Sequence, residues 1–102
     1  MTVRETSIEA FYNLPDLAER QRQVLRGFKL WGPGTDFEIT VALNKHRPEY
    51  WYPNRVRPRR KELQDMGLIR EIGKRECEVT GRTAIVREVS PLGRRMGVVS
   101  DG

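Results

Sequence analysis

Residues 54–72, NRVRPRRKELQDMGLIREI, change period part-way along, and that change decides the fold. Val56, Leu63 and Met66 recur at helical spacing, and from Leu68 to Ile72 the pattern becomes strand-like. Gly67 stands at the junction as a natural helix stop. Asn54 is the expected cap of this helix. Pro58 then falls in or just after the first turn, where a missing N–H costs least.

Upstream, two further helices are expected. Asp16-Leu17-Ala18-Glu19 reads as a capping-box-like start. Leu17, Val24, Leu25, Phe28 and Trp31 follow at helical spacing, and Gly32-Pro33-Gly34 ends the run. Thr35-Asp36-Phe37-Glu38 is a regular T-x-x-E box opening a short helix that ends near Asn44 or Lys45. Its apolar face is Ile39, Ala42 and Leu43, which leaves Phe37 and Val41 in need of another partner. Residues 45–53 form a connector with Tyr50, Trp51 and Tyr52 between two prolines.

Downstream, Leu68–Ile72 and Thr83–Val89 are the expected strands of an antiparallel hairpin. The basic loop GKRECEVTGR, 73–82, projects between them. Residues 90–102 lack periodicity and are expected to be a flexible C-terminal tail. Residues 1–13 form an N-terminal extension with room for a short helix, and the domain proper spans 14–89. The fold class is therefore α+β, a three-helix core followed by a two-stranded antiparallel hairpin.

Charge is localised. Lys45–Lys61 holds seven basic residues against one acid, Glu49, so this stretch alone slightly exceeds the chain's net +5. Such a field suits a polyanion, because each neutralised phosphate releases condensed counterions. With Val56 at 0° and steps of about 100° per residue, Val56, Leu63, Met66 and Gly67 cluster on one side. Arg57, Lys61 and Gln64 are assigned to the other side, with Asn54 and Pro58 nearby. Their donor-rich side chains can reach phosphates and guanine edges. Arg59 falls nearer the core side, where its head is expected to pair with an acid.

The segments TDFEITVALN, NRVRPRRKELQDMGLI and GKRECEVTGRTAIV together resemble a winged helix-turn-helix domain, over about Leu17 to Val89. The R-x-x-E-L-x-x-x-G-L-I signature (Arg59, Glu62, Leu63, Gly67, Leu68, Ile69) is common in short winged-helix proteins, including many encoded by bacteriophages. The resemblance implies duplex DNA as partner, with the third helix reading a groove and the hairpin as wing. It also implies a regulatory role, in transcription or replication, and a phage setting. The expected DNA-binding residues are Lys45, Arg47, Asn54, Arg55, Arg57, Lys61 and Gln64, with Lys74, Arg75 and Arg82 from the wing. The connector departs from the family, whose second and third helices are usually joined by a tight turn. Its aromatics are expected to pack on the core; the alternatives are a protein-interaction module, with Tyr50, Trp51 and Tyr52 docking a protein partner or a second copy, and base stacking with single strands.

Other classes find no support. No run approaches the ~18 apolar residues of a membrane span. The segment MTVRETSIEAF lacks the apolar core of a signal peptide. The single cysteine, Cys77, excludes an internal disulfide framework, fits a reducing cytoplasm (the host's, if phage-encoded), and is expected to be a small wing residue. With one histidine, His46, no metal-ligand spacing can be built. No catalytic constellation emerges, so a non-enzyme without metal or cofactor is expected.

Overall fold

The computed structural model describes residues 17–46 and 50–95. Helix α1 spans Glu19–Trp31, α2 Asp36–His46 and α3 Pro53–Asp65. Strands β1 (Ile69–Glu76) and β2 (Thr83–Val89) follow as an antiparallel pair. The fold is α+β, three helices and then a hairpin, the layout of a winged helix. None of the helices is long and apolar enough to cross a membrane.

Each helix starts for a local reason. At α1 the cap is Ala18, and Gln21 Oε1 accepts from its N–H at 2.9 Å. The start is thus displaced from the expected Asp16, which lies outside the described residues. At α2 the box forms reciprocally: Glu38 N–H donates to Thr35 Oγ1 at 3.2 Å, and Thr35 N–H to Glu38 Oε1 at 3.1 Å. At α3 the cap is Tyr52 rather than Asn54, because Pro53 takes the first helical position, where its fixed φ suits the helix. Pro58 therefore lies inside the helix, on its exposed side, where water can serve the carbonyl it leaves without an amide.

The end of α3 is a Schellman motif. Leu68 N–H donates to Leu63 O at 2.9 Å and Gly67 N–H to Gln64 O at 3.0 Å. Gly67 has φ +82°, a left-handed value that favours glycine. The closed turn delivers Leu68 and Ile69, both buried, from the helix straight into β1.

The helices enclose one core. Leu17, Val24, Leu25 and Phe28 meet Ile39, Leu43, Trp51, Val56 and Leu63, with Leu68, Ile69 and Val89 closing the hairpin side. Close approach of α1 and α2 requires Gly27, where a Cβ would stand 3.2 Å from Ile39 and 3.3 Å from Leu43. The connector is tied into this core. Asn44 Oδ1 accepts from Trp51 N–H at 2.6 Å, and its amide donates to Trp51 O at 2.7 Å. Because α2 extends through His46, whose ring stacks on Trp31 at 4.8 Å, the connector is shorter than the expected 45–53.

The hairpin departs from expectation at its tip. β1 continues to Glu76 because Gly73–Glu76 pairs with Thr83–Val86 instead of looping. The pairing passes from Glu71↔Arg87 to Gly73↔Val86, so Ile72 is the extra residue of a bulge. The tip shrinks to 77–82. On its other edge β2 exchanges two hydrogen bonds between Arg87 and Gly34, at 3.0 and 2.9 Å, so the α1–α2 loop acts as a third, minimal strand.

The chain stays folded beyond Val89. Residues 91–95 form a helical turn, Ser90 Oγ accepts from Gly93 N–H at 3.1 Å, and Leu92 packs on the core. The tail expected from residue 90 is thus packed as far as 95. Residues 1–16 and 96–102, which hold the rest of both expected extensions, lie outside the described residues.

Candidate nucleic-acid interface

Helix α3 sorts its residues into an inner stripe, two flanks and an outer face. Val56 and Leu63 are fully buried. The flank toward α1 carries Arg55, Arg59 and Glu62, roughly 60° to 120° from Val56 on one side. Arg59 pairs with Glu62 at 2.8 Å, and Gln21 of α1 donates to the same carboxylate at 2.9 Å. The Gln21 bond, with Arg59 beside it, holds Glu62 below the usual carboxylate range. Arg55 donates to Tyr50 O and lies over the Trp51 ring, 4.9 Å from its centroid. Arg55 is therefore occupied in fastening the connector.

The flank toward α2 and the hairpin carries Arg60 and Gln64. Arg60 grips Asp36, the first residue of α2, through Nε at 3.1 Å and Nη2 at 2.9 Å. Arg87 of β2 approaches the same carboxylate at 3.6 Å and donates to Gln64 Oε1 at 3.1 Å. Gln64 also accepts from Arg60 at 3.3 Å and donates to Glu71 at 3.1 Å. That last bond, helped by the charges of Arg87 and Arg60, lowers the pKa of Glu71. One network thus joins α2, α3, β1 and β2 and fixes the wing against the third helix. Gln64, assigned to the outer side of the wheel, lies only ~80° from Val56 and is held inside this network.

The outer face carries Asn54, Arg57, Pro58 and Lys61, all exposed. These are positions i, i+3, i+4 and i+7 of one helical surface. Arg57 Nη1 donates to Asn54 Oδ1 at 3.2 Å, and its guanidinium lies 5.2 Å from the ring centre of Phe37. That contact gives Phe37 the partner its off-core position requires. Lys61 pairs with Asp65 at 3.5 Å across open solvent. Lys45 is exposed in the last turn of α2, and Arg47 lies outside the described residues.

On the wing, Lys74 and Arg82 are exposed. Arg75 instead donates to both oxygens of Glu38, at 2.7 and 2.8 Å. Glu78 N–H adds a bond to Glu38 at 2.8 Å. These bonds, the Arg75 pair foremost, hold the Glu38 carboxyl down at about 2. Behind them Cys77, expected as a wing residue, is buried at the base of the tip, its Sγ 3.0 Å from Thr35 Oγ1.

The aromatic connector splits. Trp51 is fully buried, so it packs on the core and cannot anchor a partner from the surface. Tyr50 and Tyr52 are 71% and 44% exposed and stack on each other at 5.7 Å.

The basic stretch thus divides its labour. Arg55, Arg59 and Arg60 are engaged within the fold, while Lys45, Arg57 and Lys61 face solvent. Spacing alone does not single out Asp36, Arg60 and Arg87, since an acid at a helix start, an arginine in a basic helix and a base in a strand have ordinary local explanations. No protein-family model and no curated protein matches the chain.

Proposed function

We propose that this protein is a non-catalytic winged-helix protein that binds duplex DNA through α3, with the hairpin as wing. The observation that carries this reading is the outer face of α3. Asn54, Arg57, Pro58 and Lys61 line one exposed surface, backed by a fully buried Val56 and Leu63. The stripe offers donors and two cations on a rigid element of a width that a major groove admits. Lys74 and Arg82 extend positive charge onto the wing, where contact with phosphate follows. Lys45 supplies a further backbone contact from α2. A regulatory or replication-linked role, in a phage, is what the winged-helix resemblance adds.

The test is a mobility shift with unrelated duplex DNA at two salt concentrations. Binding that weakens steeply with salt supports the reading, and no shift at low salt sinks it.

A second reading is carried by Tyr50 and Tyr52, an exposed stacked pair beside α3. Aromatic pairs of this kind are favoured at protein interfaces. On that reading the chain docks a protein through these two tyrosines, and the basic face is secondary.

A further inference from the structure

Phe37 sits off the core face of α2, in its first turn, and Arg57 of the neighbouring helix lies over its ring. The same guanidinium donates to Asn54, one turn earlier on α3. An exposed arginine ordinarily samples many rotamers, and ordering it on binding costs affinity. Here two contacts, the Phe37 ring centre 5.2 Å from the guanidinium carbon and the bond to Asn54, restrain the head before any ligand arrives. Resting on the duplex-binding reading, we propose that Arg57 is the base-reading residue of α3, and that the base it reads is guanine.

The choice of base follows from what the trio presents. Guanine offers two acceptors in the major groove, O6 and N7, which match the parallel N–H pair of a guanidinium. Adenine offers one donor and one acceptor, and asparagine reads it by using both ends of its amide. Arg57 occupies one of the two lone pairs of Asn54 Oδ1, which weights the asparagine toward donating through its amide N–H groups. The Arg57–Asn54 pair is therefore rich in donors, which suits the two-acceptor edge of guanine better than the mixed edge of adenine. Lys61, a point charge one turn further on, holds the backbone without discriminating. Phe37 is a positioning residue: it touches no base and restrains the guanidinium through its ring.

The experiment begins with selection of duplexes by the wild-type protein. Each guanine of the selected site is then replaced by 7-deazaguanine, which removes N7 alone. The wild type is expected to lose roughly tenfold in affinity at one guanine, the scale of one lost hydrogen bond to a charged group. Arg57→Lys keeps the charge but not the fork. It should show less than about twofold loss at that guanine while keeping the wild-type salt slope. Phe37→Leu should weaken the selected site more than random duplex. All three proteins should melt together, since Arg57 is exposed and Phe37 only partly covered. If Arg57→Lys retains the full guanine preference, or loses affinity equally on every sequence, the assignment to guanine is overturned while duplex binding stands. If the wild type binds no duplex at low salt, the underlying reading falls and takes this one with it.

Discussion

Arg75 of the wing donates two hydrogen bonds to Glu38 in the first turn of α2, at 2.7 and 2.8 Å. The same carboxylate completes the cap of α2 through Thr35 and accepts from Glu78 at the wing tip. One side chain therefore caps a helix and clamps the hairpin. The wing is held at both ends, at its tip by Glu38 and nearer its base by the Asp36–Arg60–Arg87 network.

The clamp is pH-sensitive. Glu38 titrates at about 2 in the folded chain against 4.5 as its ordinary value. A depressed carboxylate stabilises the fold above its unfolded pKa, and that contribution fades as pH falls from about 4.5 toward 2. Glu38→Gln should cost about 1 kcal/mol at pH 7, the upper range for a partly exposed pair. The gap between the two proteins should narrow on acidification to pH 3. Melts at the two pH values check it, and a gap that stays constant would remove Glu38 from the account.

The outer face of α3 makes a second prediction. Arg57→Ala and Lys61→Ala should each weaken duplex binding, and the double change should reduce the salt slope by about two units. Melting should barely move, because Lys61 pairs only with Asp65 in open solvent and Arg57 is exposed. Titration of a labelled duplex across a salt series measures both quantities. Unchanged affinity in the double variant would mean that α3 is not the reading element.

The core prediction separates packing from docking at the connector. Leu63→Ala should destabilise by ~2–5 kcal/mol and Trp51→Ala by ~3–5 kcal/mol. Tyr50→Ala with Tyr52→Ala should leave the melt near wild type, since both rings are exposed. Sedimentation of the tyrosine variant beside the wild type tests the second reading of function. A dimeric wild type whose tyrosine variant is a monomer would promote the protein-docking reading.

The legible parts of this chain were those with one local physical cause. The T-x-x-E box at Thr35, the glycine stop at Gly67 and the inner stripe of α3 follow from spacing alone, and each stands in the structure. The arginines illustrate the limit. Arg59 leans to the core side by its angle on the wheel, and the acid it pairs with, Glu62, is within the same helix three residues away. Arg60 and Arg87 have no such local sign, because their shared acid, Asp36, lies 24 residues from Arg60 and belongs to another element. Gln64 is different: at ~80° from Val56 the wheel itself puts it on a flank and not on the outer side, and Arg60, Arg87 and Glu71 meet it there. The short tip of the wing was hidden too. GKRE has poor strand composition and pairs only because β2 lies beside it.

The buried network supplies the last prediction. Asp36 faces two guanidiniums, Arg60 at 2.9 Å and Arg87 at 3.6 Å, and all three groups are largely shielded from water. Removing the acid leaves the shielded Arg60 with no carboxylate, while Arg87 keeps Glu71 at 3.4 Å. Asp36→Ala should therefore cost about 3–5 kcal/mol, the scale of breaking a buried pair. Asp36→Ala with Arg60→Met removes the charge that lost its carboxylate and fills its volume with an apolar chain. That double variant should be more stable than the sum of its two singles predicts, by about 1 kcal/mol or more. Urea unfolding of the wild type, both singles and the double closes the cycle. Strict additivity would show that Asp36 and Arg60 do not stabilise each other, and that the polar ties of the wing to α3 run through Gln64 instead.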